Sequence, residues 1–410
     1  FCIIPNVVSS SILNMKIKTF IIALIIFQSS WAQVEKGYKK SEACDMIAIC
    51  NSFTFLELYN SDDQIIPNSY NKVFSSNVIG MDNKFQIYRN GKTAVINLRG
   101  STSNKQSWLE NFYSVMIPAK GVIEILGKSH NYCFSKNDNA AVHSGYALAI
   151  TYLSNEIIQQ ISILNKDSIY DIIITGHSQG GALAQLLMAS LENLPDEVIL
   201  SKNNFKTYAY ASPMVGNDEF ANEYSKKYCN GNSFNIINAA DIVPSLPLSY
   251  NDSSFISKTD LHTFFFDHES FDLKHILLDG TIRLVQKPLS KVIFELGRSV
   301  SKQIENKQGD IILPKHTSDI NYIKLDELIK IPPYQYQRQL KDSTILFNDS
   351  LMTIYKKGAD GHFIDEGLYK PEPLFYQHKP YNYYLSILKM YFPKSYKKIE
   401  LKELPKSRRN

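Results

Sequence analysis

Residues 169–191 constrain this chain more than any other segment. A run rich in β-branched residues, 169–175, leads into Gly176-His177-Ser178-Gln179-Gly180-Gly181-Ala182, and an apolar pattern free of proline follows to about residue 191. That order predicts a buried strand, a tight turn and a helix. In such a turn Ser178 is held at the end of the strand in a strained conformation. Side chains at positions 176 and 180 would strike neighbouring backbone, so both must be glycine. A serine presented this way is a candidate nucleophile, and the alternative is an ordinary helix entry capped by serine.

The same alternation continues on both sides. Residues 85–88 and 94–98 flank Asn90-Gly91 and predict a β-hairpin. Residues 146–164 predict a long helix, residues 205–210 and 234–237 two more strands, and residues 381–391 a late helix. Strands alternating with helices imply an α/β fold with a parallel central sheet. Beyond residue 250 the pattern changes: residues 264–266 are three consecutive phenylalanines, 271–304 read as helical, and 309–349 carry Pro and Tyr without clear periodicity. The segment at about 250–370 is therefore expected to be an inserted, largely helical, cap-like region within one domain spanning 33–410.

Near the start, Lys16 and Lys18 precede an apolar run at 20–27 and Ser30-Trp31-Ala32, the pattern of a secretory signal peptide over 15–32. Residues 1–14 precede the first methionine and are expected to be an upstream extension. The destination is then periplasmic or extracellular. No stretch approaches the roughly 20 apolar residues of a permanent membrane anchor. Past residue 32 four of the five cysteines remain, Cys44, Cys50, Cys133 and Cys229, and in an oxidising compartment Cys44–Cys50 is the first pairing to expect. Lys and Arg number 44 against 40 Asp and Glu, a formal charge of +4, which points to no nucleic-acid partner. There is neither a metal-ligand spacing nor a phosphate-binding glycine loop, so no cofactor is expected.

A serine nucleophile needs a base to accept its proton and an acid to orient that base. In α/β-hydrolases the chain order is Ser, then Asp or Glu, then His. Asp241 lies just past the strand expected at 234–237, where a triad acid belongs; a turn-forming Asp before a proline-bearing loop is the other reading. For the base, six histidines follow: His262, His268, His275, His316, His362 and His378. His378 ranks first because it precedes the late helix, with His362 and then His262 behind it. His143 and His177 precede the acid and are read as structural.

Arg99-Gly100-Ser101, Val142-His143-Ser144-Gly145-Tyr146, the Ser178 turn, Ala211-Ser212-Pro213-Met214-Val215-Gly216-Asn217 and Asp241-Ile242-Val243-Pro244 occur in that order. Together they resemble the class 3 lipases, the family of the fungal triacylglycerol lipases, over about residues 85–250. Trp108 fits that pattern, while Asn111 stands where Asp is more usual, and Tyr381 completes a late HxxY pattern with His378. The resemblance implies an α/β-hydrolase fold and a lipase acting on acylglycerol esters at a lipid–water interface. It implies Ser178 as nucleophile, Asp241 as acid, and an oxyanion hole from Ser101 and the backbone N–H of Gln179. It also implies a lid after Ser101, where Trp108, Leu109, Phe112, Tyr113, Val115, Met116 and Ile117 are apolar. An esterase or phospholipase on smaller or more polar esters is the alternative, and a non-catalytic binding protein is the alternative of another class.

Overall fold

The computed structural model describes residues 35–247, 289–326, 328–347, 354–373 and 375–405. The expected extension at 1–14, the signal peptide at 15–32, residues 264–266 and His262, His268 and His275 lie outside the described residues.

A seven-stranded sheet forms the centre, its strands following one another in space as they do in sequence: β1 (Asn71–Ser75), β2 (Phe85–Asn90), β3 (Thr93–Leu98), β4 (Asp171–His177), β5 (Asn204–Tyr210), β6 (Ser233–Asn238) and β7 (Leu328–Ile331). The first two junctions are antiparallel; β3 to β7 are parallel throughout. The hairpin β2–β3 turns at Gly91, whose φ of 58° lies in the left-handed region that glycine favours. The architecture is the α/β-hydrolase fold: a mostly parallel sheet with helices on both faces.

Alternation along β4 sends side chains to two cores. Ile172 and Ile174 meet the helices Ser144–Lys166 and Gln179–Glu192, while Ile173 meets Met46 and Ile47 of Lys40–Cys50 and Ile387 of Pro380–Tyr391. All three isoleucines are buried, each contributing about 1.5–3 kcal/mol. A buried Lys206 on β5 pairs with Glu42 at 2.6 Å and fastens the first helix to the sheet.

Two expectations are corrected. The pair Cys44–Cys50 is not formed, and all four described cysteines are free. Both lie in the helix Lys40–Cys50, where six residues of separation give a rise of about 9 Å, beyond the reach of a disulfide. The segment at 250–370 is more than a helical cap among its described residues, because it supplies the edge strand β7. The apolar stretch after Ser101 is divided: Leu109, Tyr113, Val115, Met116 and Ile117 are buried, most of them in the main core, while Trp108 and Phe112 line the cavity that Ser178 also lines. The helix Leu289–Gln308 closes over this stretch, and a Cβ at Gly297 would fall 2.6 Å from Val115.

The turn from β4 into the next helix depends on contact between backbones. A Cβ at Gly180 would lie 2.3 Å from the carbonyl oxygen of Leu98, and one at Gly176 would lie 2.2 Å from that of Gly180. Gly180→Ala is therefore expected to lower stability by at least about 1–3 kcal/mol, read by urea denaturation. A variant as stable as the native protein would show that the helix can stand off the sheet.

Candidate active site

Ser178 follows the last residue of β4 with φ 61° and ψ −130°, a conformation strained for a residue bearing Cβ. Its N–H donates to the Tyr210 carbonyl at 2.9 Å, which holds the turn against β5. Gln179 opens the following helix, so its N–H has no acceptor within that helix.

His378 sits between Ser178 and Asp241. Its Nε2 lies 2.8 Å from Ser178 Oγ and its Nδ1 lies 2.8 Å from Asp241 Oδ2. The Asp241 side chain is fully buried and is held from three directions: by His378, by the Tyr383 hydroxyl at 2.8 Å and by the Val243 N–H at 3.0 Å. Tyr383 in turn accepts from the Asn238 N–H at 3.0 Å, tying the acid to the end of β6. The loop before His378 is pinned by Gln377, which accepts from Asn238 Nδ2 at 2.8 Å and from the Tyr334 N–H at 3.0 Å.

The other described histidines stand elsewhere. His316 bonds the Tyr113 hydroxyl at 3.2 Å, and His362 packs edge-on to Tyr369. His143 is fully buried, stacks on Tyr146 at 3.8 Å and bonds the Asn111 carbonyl at 3.2 Å. Burial depresses its basicity to about 3. His177 is buried with its ring 4.8 Å from that of His378, and burial, reinforced by His378, drives its pKa well down. Tyr381 bonds the Leu401 carbonyl, so the tyrosine touching the acid is Tyr383, two residues later.

Ser101 lies beside this group, and a Cβ on its neighbour Gly100 would fall 3.5 Å from Ser178 Cβ. The Ser101 hydroxyl donates to Gln179 Oε1 at 2.9 Å and accepts from Asn111 Nδ2 at 2.9 Å. Behind them is a residue that sequence reasoning missed, Glu110, fully buried, with Oε2 accepting from Gln179 Nε2 at 2.5 Å and Oε1 from Asn83 Nδ2 at 2.6 Å. Burial lifts its pKa well above the usual carboxylate range, opposed by the two amide donors and assisted by Asp82. A cavity of about 830 Å³ opens over Ser178 and His378, walled by Phe53, Leu56, Trp108, Phe112, Leu246 and Phe375, with Glu57, Lys84 and Arg99 also lining it.

The pattern of the class 3 lipases matches residues 95–251, which include Ser101, Gln179, Ser178 and Asp241. Through this segment the chain is similar to the class 3 lipases. Similar proteins include the secreted mono- and diacylglycerol lipase LIP4 of Malassezia restricta, 29% identical over 151 residues, covering 36% of this chain and 45% of that one. Another is the lipase of Rhizomucor miehei, 29% identical over 158 residues and covering 38% of each chain. The chain thus spans less than half the length of these relatives. Among solved structures, a fungal lipase–inhibitor complex is 22% identical, covering 51% of this chain and 74% of that one, with a TM-score of 0.41. His378 falls outside the matched segment, in a part of the chain that the family pattern does not reach.

His143 and His177 stay neutral in the folded chain but take up protons once unfolded. Their contribution is present above pH 6.5, the ordinary value, and is lost as the pH falls below it, for His143 down to about 3. His143→Gln is expected to flatten the acid loss of stability by up to roughly 1.4 kcal/mol per pH unit below 6.5. Urea denaturation at pH 7 and pH 4.5 checks this, and equal losses in both proteins would contradict it.

Proposed function

We propose that this chain is a secreted serine carboxylic-ester hydrolase, a lipase cleaving acylglycerol esters through Ser178, His378 and Asp241. What carries the reading is the single imidazole of His378, within 2.8 Å of both the serine hydroxyl and a buried carboxylate, at the floor of a largely apolar-walled cavity. Ser178 Oγ attacks the ester carbonyl carbon as His378 Nε2 takes its proton. Asp241 keeps Nδ1–H in place and stabilises the imidazolium. The carbonyl oxygen becomes anionic, within reach of the Gln179 N–H and the Ser101 hydroxyl, and each such donor is worth about 2.7–4 kcal/mol. Collapse expels the alcohol, which leaves with the proton from His378, and an acyl-enzyme on Ser178 remains. Water, deprotonated by His378, then releases the acid and restores the serine.

Secretion is supported by the signal-like segment at 15–32 and by relatives named as secreted lipases. We read residues 33–410 as one domain with an insertion at about 250–370. The charged residues in the cavity wall, Glu57, Lys84 and Arg99, favour an ester with a polar alcohol side over a wholly apolar one, and keep an esterase or phospholipase activity as the second reading.

Ser178→Ala and His378→Ala are each expected to lower kcat by at least about 10⁴-fold with folding intact. A fluorophosphonate should label the native protein at Ser178 and leave Ser178→Ala unlabelled, and a native protein that does not label is a binding protein on this fold. For a lipase, kcat/KM should rise from acetyl to octanoyl esters. The upper limit is roughly fourfold per CH₂, the equivalent of about 0.8 kcal/mol. Activity should also jump as the substrate aggregates. A preference for acetyl esters that ignores aggregation would leave the small-ester esterase standing.

A further inference from the structure

Glu110 is a buried carboxyl with no cation among its hydrogen-bond partners, set one residue from the wall of the cavity. Such a group is costly to keep unless its hydrogen bonds do something an apolar residue would not. Its two oxygens receive Asn83 and Gln179, and no other side chain donates to it among the described contacts. Because Nε2 of Gln179 faces Glu110, Oε1 must face the other way, where it accepts from Ser101 Oγ at 2.9 Å, Ser107 Oγ at 3.2 Å and Asn111 Nδ2 at 3.4 Å.

The Ser101 hydroxyl has one proton. Asn111, whose own Oδ1 is held by the Tyr146 hydroxyl at 3.0 Å, donates to Ser101 Oγ and so directs that proton toward Gln179. We propose that Glu110 is a positioning residue which, by fixing the Gln179 carboxamide, sets the direction and availability of the Ser101 proton beside Ser178. This rests on the reading of Ser178 as a nucleophile that generates an oxyanion.

The arrangement suits a proton that must change acceptor during turnover. When a negative oxygen forms next to Ser178, the Ser101 proton swings to it, and Gln179 Oε1 keeps the Ser107 hydroxyl as a donor, while Asn111 Nδ2 stays on Ser101 Oγ and the Ser107 carbonyl. No buried acceptor is left empty by the change, so the donor is ready with little reorganisation. A Gln179 carboxamide that turned over would instead present Nε2 to Ser101. The acceptor side of the Ser101 hydroxyl would then be crowded by two amide donors, and Ser107 would lose its acceptor. Glu110 opposes that turn, since its Oε2 faces the carboxamide as an acceptor.

Glu110→Gln tests this at constant shape. The new amide can accept from only one of Asn83 and Gln179, so the orientation of Gln179 is no longer fixed. The expected result is a fall in kcat of about tenfold or more, with KM within about twofold, because the contact matters as charge develops. In a Ser101→Ala background the same change should have no further effect on kcat. Thermal denaturation confirms that the variants are folded, and Gln179→Leu, which leaves the backbone N–H in place, supplies a second route. Native kcat in Glu110→Gln, an effect on KM alone, or an equal fall with and without Ser101 would each overturn the proposal. If instead Ser178→Ala retained full turnover, the underlying reading of the site would fail, whatever Glu110→Gln does.

Discussion

The site depends on backbone meeting backbone at the end of β4. Gly176, Gly180 and Gly100 let three chain segments approach so closely that a Cβ at any of them would come within 2.2–2.5 Å of a carbonyl oxygen. That closeness places the start of the helix Gln179–Glu192 against the end of β3, forces Ser178 to positive φ, and leaves the first N–H of the helix, beside the serine, without an acceptor in that helix. The strained residue is held by its surroundings. The sheet is hydrogen-bonded on both sides of β4, and the buried helix behind it bears on a continuous core. Strain of this kind persists only where packing over-determines it.

Much of this was legible in the sequence because it is local. The hairpin at Gly91, the long helix Ser144–Lys166, the strands β4, β5 and β6, and the helix Pro380–Tyr391 all carry periodicity or turn chemistry within a short window. Ser178 was legible for the same reason, and Asp241 and His378 because each occupies a definable place relative to a strand end or a helix start. What failed was non-local. Residues 328–331, Leu-Ile-Lys-Ile, are too few to be distinguished as a strand, and only pairing with β6 makes them one. The helix Lys40–Cys50 is apolar on more than one side because it lies between the sheet and the late helix, so its periodicity is blurred.

Glu110 and Tyr383 were missed for a different reason. A glutamate in a short amphipathic helix ordinarily faces water, and nothing within residues 105–112 signals that this one faces Gln179, 69 positions later. Tyr383 touches Asp241 because the helix Pro380–Tyr391 is rotated so that its second tyrosine, rather than Tyr381, meets the acid. The apolar residues after Ser101 serve two ends: most pack into the core under the helix Leu289–Gln308, and Trp108 and Phe112 also line the cavity.

His378 bonds a serine 200 positions earlier in the chain and is fixed by Gln377 to a strand end 139 positions away. Contacts this distant in sequence form late, since a long loop must close before they offer any return. A polypeptide growing from its amino end would therefore display the serine on a nearly finished sheet while the imidazole was still unsynthesised. Chemical competence becomes the last property the molecule acquires, and the first it would lose if the tail peeled from the sheet. Under the proposed reading as an ester hydrolase, made inside a cell whose own membranes are esters, that timing is a form of restraint written into chain order.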